Sequence, residues 1–240
     1  MKLPVSIIIP TLNEEKALTH LLQSLEKQTI QPKEIIIADA FSVDNTRTIA
    51  KDFHCTLVNG GLPGKGRNEG VKAATQDILL FLDADVILPS RFLEKTVFEM
   101  VEKDLDIATC FVKPQSTKSQ DKFIASLWNY YFSITKNVYP HACGFCIFIK
   151  RDIHEWIRGF DETILVAEDI DYVRRASKLG KFGYLKSQKI PISMRRFHKN
   201  GRMKSFLQYL SIELHTLFIG NVRKNIFDYE FGKHHEIRKK

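Results

Sequence analysis

A chain of 240 residues, 44% hydrophobic and with a formal net charge of +8, is long enough for one large or two small domains around a substantial core. No run reaches the roughly 20 apolar residues that span a bilayer, and the first apolar run turns acidic too early for a signal peptide, so a cytoplasmic location is expected. Four cysteines do not make a disulfide scaffold, and Cys55, Cys110, Cys143 and Cys146 are expected to be reduced.

Strand and helix patterns alternate along the chain. Val5 to Ile9 has the apolar run of a short buried strand, and Thr11 with Glu14 has capping-box spacing before a helix whose Leu18, Leu21, Leu22 and Leu25 form one stripe. Glu34 to Ala38 is a second strand ending at Asp39, Ser42 to Phe53 a second helix, and Cys55 to Val58 a third strand. Gly60 to Gly70 reads as a flexible glycine loop leading into a short helix through Ala74. Ile78 to Leu82 is uninterrupted and apolar, as in a strand covered on both faces, and it stops at Asp83 and Asp85. Pro89 and Ser90 open a helix carrying Phe92, Leu93, Val97, Met100 and Val101, and Asp106 to Val112 is a further strand. Lys122 to Tyr139 is a helix whose aromatic stripe either packs into the core or stacks on a sugar. Lys189 to Met194 is a late strand, and residues 203 to 222 form a last helix with Met203, Phe206, Leu207, Leu210, Leu214, Leu217 and Phe218 on one side.

This alternation predicts an α/β fold, a doubly wound and mainly parallel sheet flanked by helices. Ligands then bind beyond the carboxyl ends of the strands, where Pro10 to Glu14, Asp39 and Asp83-Ala84-Asp85 should share one rim. In an extended chain residues i and i+2 face the same way, so Asp83 and Asp85 can reach one hard cation and share it with a phosphate. Arg67 and Asn68, following the glycine loop, offer a guanidinium and helix-end amides to phosphate oxygens. Each residue also has an ordinary use alone: capping for Thr11 and Glu14, a strand end for Asp39, a solvated turn for Asp83 and Asp85.

In order and spacing, SIIIPTLNEE (Ser6 to Glu15), IIIADAFSVDNT (Ile35 to Thr46), GKGRNEG (Gly64 to Gly70) and FLDADVILP (Phe81 to Pro89) resemble glycosyltransferase family 2, whose catalytic domain has the nucleotide-sugar-binding GT-A fold. The resemblance implies a catalytic domain over residues 1–200, with a nucleotide-sugar half (1–110) and an acceptor half (111–200), then a basic helical extension (201–240). The implied reaction is metal-dependent transfer of a sugar from a nucleoside-diphosphate sugar, UDP favoured, to a carbohydrate or lipid-linked hydroxyl, by direct displacement with inversion. Pro10, Thr11, Asn13 and Glu14 would contact the nucleotide, Asp39 the base, and Arg67 with Asn68 would lie nearby. Asp83, Ala84 and Asp85 would hold ribose and Mn2+ or Mg2+, Asp85 being the direct ligand. Asp39-Ala40-Phe41-Ser42 stands where the family often has Asp-Asp-Gly-Ser, a departure that bears on nucleotide identity.

Gly159-Phe160-Asp161-Glu162 and the later Glu168-Asp169 are similar to the family's glycine-phenylalanine-acid-acid turn and its Glu-Asp motif. Asp169, beside Glu168, is then the expected general base, taking the acceptor's proton, and Gly144, Asp161 and Glu162 are expected on the acceptor side. Alone, the acidic run from Glu168 to Asp171 is equally a helix first turn favoured by the dipole, with Asp171 and Arg175 as an i, i+4 pair. Arg195 or Arg196 could neutralise a diphosphate and His198 could join the metal. Cys143 and Cys146 have redox or half-zinc spacing without a second ligand pair.

Residues 195 to 240 hold 11 Lys and Arg against 4 Asp and Glu, so seven of the eight net charges lie there. Such a tail suits nucleotide phosphates, an anionic membrane or nucleic acid, although no nucleic-acid motif is present. The last helix could lie on an anionic membrane, pack on the domain, or pair with a second copy as a homodimer. A nucleotidyltransferase releasing pyrophosphate and a non-catalytic nucleotide- or nucleic-acid-binding protein are the rival readings.

Overall fold

The computed structural model describes residues 2–194, 197, 201–224 and 226–227. Arg195, Arg196 and His198 lie outside the described residues. In chain order the elements are β1 (Leu3–Thr11), α1 (Glu15–Glu26), β2 (Pro32–Asp39), α2 (Thr46–Asp52), β3 (Thr56–Asn59), α3 (Pro63–Ala73), β4 (Ile78–Phe81) and α4 (Phe92–Glu102). There follow β5 (Ile107–Pro114), α5 (Ser119–Thr135), β6 (Ile147–Lys150), α6 (Arg151–Trp156), α7 (Glu168–Ala176), β7 (Phe182–Ile192) and α8 (Arg202–Phe218).

The strands form one sheet in the order β3-β2-β1-β4-β6-β5-β7. All neighbouring pairs are parallel except those of β6, which runs antiparallel to both β4 and β5. The apolar runs alternate between two cores because a strand sends successive side chains to opposite faces. Ile7, Ile9, Leu80 and Phe148 join α1 and α4 on one face. Ile8, Leu79, Phe81 and Ile149 join α3, α6 and α7 on the other. Covering both faces is what a mainly parallel sheet requires, and each fully buried Ile or Leu contributes roughly 1.5–3 kcal/mol.

Several expectations are corrected in detail. The glycine-rich segment is not a flexible loop: α3 begins at Pro63, a residue suited to the first helical position, so Arg67 lies inside the helix. Its glycines permit close approach, since a Cβ at Gly70 would lie 2.4 Å from Ile8 Cγ2. The second helix starts at Thr46 rather than Ser42, because Asp44 takes the Thr46 N–H and Ser42 is held by Asp39. β4 ends at Phe81 and residues 84–85 form a turn, so the alternation expected to align Asp83 with Asp85 does not apply. The late strand is longer and earlier than expected, Phe182–Ile192.

At the carboxyl end of β4, Phe81 meets Phe160 and Tyr172 edge-on, at 5.1 and 5.9 Å between ring centroids. Phe160 and Tyr172 stack at 3.7 Å, so this triad braces the strand end against α7. Phe81→Ala is expected to lose about 3–5 kcal/mol of stability; urea unfolding monitored by far-UV circular dichroism measures it, and a loss under about 1 kcal/mol would show that the triad does not brace the edge.

Candidate active site

Arg67 holds the centre of the carboxyl edge. Its side chain is 2% exposed, donating from Nη1 to Glu168 Oε1 at 2.7 Å and from Nη2 to Asp83 Oδ1 at 2.9 Å. One guanidinium therefore ties the end of β4 to the start of α7, and its carbon lies 5.2 Å from the Phe160 ring centroid. Its Nε is buried without a partner among the described residues. Burial opposes the charge, but the carboxylates of Asp83, Glu168 and Asp169 outweigh it and hold Arg67 protonated, its pKa above the ordinary value.

Asp169 is the titratable group of the cluster. Its Oδ2 accepts the Gly144 N–H at 2.6 Å. Burial, then the charge of Glu168, pushes its carboxyl up to about 7, against the pull of Arg67 and of the Gly144 amide. Gly144 reaches this position because β6 runs antiparallel, so the segment leading into it crosses the carboxyl rim. A Cβ at Gly144 would lie 2.2 Å from Arg67 Nη2, which leaves room for glycine alone. Cys143, a free thiol with its pKa raised by burial and then by Asp169, adjoins this segment.

Asn68 is engaged by contacts of its own. Its Nδ2 donates to the Phe160 carbonyl and to Glu162 Oε1, both at 2.9 Å, and its Oδ1 accepts the Phe160 N–H at 2.9 Å. It clamps the turn at 159–163, where Gly159 has φ +70°. In that turn Asp161 accepts the Thr163 N–H and hydroxyl and pairs with Arg223 at 3.0 Å, while Glu162 is exposed.

The β1 and β2 ends form a second cluster, with Thr11 opposite Asp39 in register. Thr11 caps no helix; its hydroxyl donates to Asp39 Oδ1 at 3.1 Å, and the Glu14 N–H goes to Thr46 Oγ1. Asp39 is fully buried and also accepts the Ser42 N–H and hydroxyl and Arg47 Nη1 at 2.9 Å. With both oxygens engaged, Asp39 organises this corner. Asn13, at φ 54°, bridges the same loops by donating its N–H to Ser42 Oγ and accepting the Val43 N–H. Pro10 packs against α3 beside Gly66. Ser42, Thr46 and Arg47 were not singled out from sequence; the signal available was Arg47 eight residues after a strand-end acid.

The structure thus joins Arg67, Asp83, Gly144, Glu168 and Asp169, with Thr11, Asn13 and Asp39 at the neighbouring strand ends. Ala84 is buried, and Asp85 is half-buried in the turn beyond Asp83. Among the described residues no three His, Cys, Asp or Glu side chains converge as a metal site. A divalent ion here would draw on Asp85 or Asp83 and on a ligand's own oxygens.

The model of the family "Glycosyl transferase family 2" matches residues 6–157. The chain is 34% identical over 113 residues to poly(ribitol-phosphate) beta-N-acetylglucosaminyltransferase TarS of Staphylococcus aureus, covering 42% of this chain and 20% of that protein. It is 26% identical over 192 residues to glycosyltransferase AglE of Haloferax volcanii, covering 73% and 62%. It therefore spans only about a fifth to a third of the curated relatives it first matches. Among solved structures it resembles a TarS fragment in complex with UDP-GlcNAc at TM-score 0.65 and 24% identity, covering 80% and 58%. It also resembles mannosyltransferase PcManGT from Pyrobaculum calidifontis in complex with GDP-Man and Mn2+, at TM-score 0.63 and 21% identity, covering 80% and 57%. These likenesses show the fold, which is GT-A.

Removing the cation would leave its carboxylates uncompensated. Arg67→Met is expected to cost about 3–5 kcal/mol near pH 8. The unpaired carboxylates gain protons as pH falls, so the loss should shrink towards pH 5. Thermal melts of both proteins across this range measure it, and a pH-independent loss would contradict the ion-pair account.

Proposed function

The chain belongs to glycosyl transferase family 2, and we propose that its carboxyl-edge site transfers a sugar from a nucleoside-diphosphate sugar to a hydroxyl acceptor with the help of a divalent cation. The observation that carries the reading is the meeting of Asp83, Arg67, Glu168 and Asp169 at one rim, from segments far apart in sequence. UDP is the favoured nucleotide, because TarS, a structural neighbour, is recorded with UDP and with UDP-GlcNAc. Mn2+ or Mg2+ is the expected cation, as in the GDP-Man and Mn2+ complex of PcManGT. Bound, it would neutralise charge on the departing diphosphate.

Asp169 is the general base. A carboxyl raised to about 7 holds a proton more strongly than an ordinary aspartate, so it can take one from an attacking hydroxyl near neutral pH. The Gly144 amide fixes its orientation, leaving its reach set by the segment before β6. Arg67 holds Glu168 and Asp83 in place. Asp85 is the cation ligand, with Asp83 beside it. Thr11 and Asn13 form the nucleotide wall, which Asp39 stiffens from behind. Asp161 and Glu162, on the turn clamped by Asn68, and Gly144 border the acceptor. With the base positioned to activate the acceptor directly, displacement proceeds with inversion. The acceptor is a carbohydrate or a lipid-linked hydroxyl compound, and a peripheral position on a membrane suits the latter; no helix among the described residues is long and apolar enough to cross one.

Asp169→Asn should leave UDP binding within about twofold by calorimetry while cutting turnover by at least about a thousandfold. Asp85→Ala should abolish the Mn2+-dependent part of UDP binding. Normal turnover in the first variant, or unchanged Mn2+ dependence in the second, removes the assigned role. In the parent enzyme kcat/KM should fall about tenfold per pH unit below about 7, because protonated Asp169 cannot accept a proton; a flat profile between pH 5 and 8 would exclude it as the base.

A further inference from the structure

We propose that α5 and α8 together form a docking face for an anionic lipid bilayer, which deepens the membrane-peripheral reading above by naming the surface and its lipid class. Both helices are amphipathic in the reverse of the usual sense. On α5 the buried positions are Asp121, Ala125 and Phe132. At helical spacing on its opposite side stand Phe123, Leu127, Tyr130 and Ile134, between 45% and 70% exposed. α8 buries Ser205, Ile212, Glu213 and Thr216, a mostly polar side, against the domain. Its outward side carries Met203, Leu207, Leu214, Leu217 and Phe218, between 44% and 77% exposed.

The helices lie side by side, so their outward stripes adjoin. Trp128 meets Phe206 at 5.9 Å between ring centroids, Tyr131 donates to Glu213 at 3.0 Å, and Arg202 Nε donates to Asp121 Oδ1 at 2.6 Å. A contiguous apolar patch of this kind marks an interaction surface.

Charge selects the occupant. The acids on the two helices, Asp121 and Glu213, are buried and engaged, with Arg202 and with His141 and Tyr131. Among the described residues, the exposed charges on and around the face are basic: Lys122, Lys136, Lys204 and Lys224, with Arg223 paired to Asp161. A second copy would bring the same positive charge against this one, whereas anionic headgroups complement it. Beyond the end of α8, Phe218 and Ile219 rim a cavity of about 410 Å³ that Arg174, Arg175 and Lys178 also line, its one carboxylate, Asp171, being paired with Arg175. A lipid phosphate can enter there between cations while the neighbouring apolar side chains enter the acyl boundary.

Sedimentation of the full chain with phosphatidylcholine vesicles, with and without about 30 mol % phosphatidylglycerol, tests this. Binding should be at least about tenfold tighter with the anionic lipid, weaken with added salt, and fall at least about tenfold in the Leu127→Glu/Leu214→Glu variant. The proposal is overturned by indifference to the anionic lipid, by equal binding of the variant, or by a concentration-dependent dimer in sedimentation equilibrium that the variant breaks. A UDP and Mn2+ thermal shift on the same samples separates the two readings. Vesicle binding without a nucleotide shift counts against sugar transfer alone, and a nucleotide shift without vesicle binding counts against docking alone.

Discussion

The arrangement of the carboxyl edge depends on one ion-pair cluster: a buried guanidinium held between two carboxylates from different segments, with a third nearby. A buried Arg67 without them would bear an uncompensated charge, and Glu168 and Asp169 without it would repel each other in a setting that already disfavours ionisation. Each partner therefore constrains the position of the others. The segment after β4 that carries Asp83, the helix start that carries Asp169, and the glycine that holds Asp169 are positioned together around this guanidinium.

The sheet supplies the frame for that cluster. β1 has β2 on one side and β4 on the other, so the chain's crossovers diverge here and leave a crevice above the carboxyl ends. The reversal of β6 then sends the segment containing Gly144 over the rim, where its amide meets Asp169. The aromatic stack of Phe160 on Tyr172 lies beneath, giving the polar cluster a rigid apolar floor.

Much of this was legible from residues alone, and the rest was hidden for identifiable reasons. The strands of the first half could be read because long apolar runs ending in acids have few other uses in an α/β chain. The direction of β6 could not, since a four-residue apolar run carries no sign of its polarity. The helix at Pro63 was obscured by its glycines, whose poor helix propensity is overridden by close packing on Ile8. The pairing of Arg67 with Glu168 spans 101 residues and leaves no local pattern. The fold brings Asp83, Asp169 and Gly144 together from separate motifs, and Asn68 and Asp39 make hydrogen bonds within the protein that no local pattern announces. The stripe on α5 is periodic whether a helix faces a core or the outside, so sequence could not tell which side Phe123 and Tyr130 would face.

On the proposed reading, the edge cluster supplies a base and a cation-binding acid, and the two outward apolar helices supply a place to work. The central claim is that the rim breaks the bond between sugar and diphosphate rather than one within the diphosphate. Phosphorus NMR of the chain incubated with UDP-sugars and Mn2+ in the presence of hydroxyl acceptors observes this directly. The account predicts growth of nucleoside diphosphate resonances with no pyrophosphate. Appearance of pyrophosphate, or unchanged donor across a broad panel of nucleoside-diphosphate sugars, would contradict it.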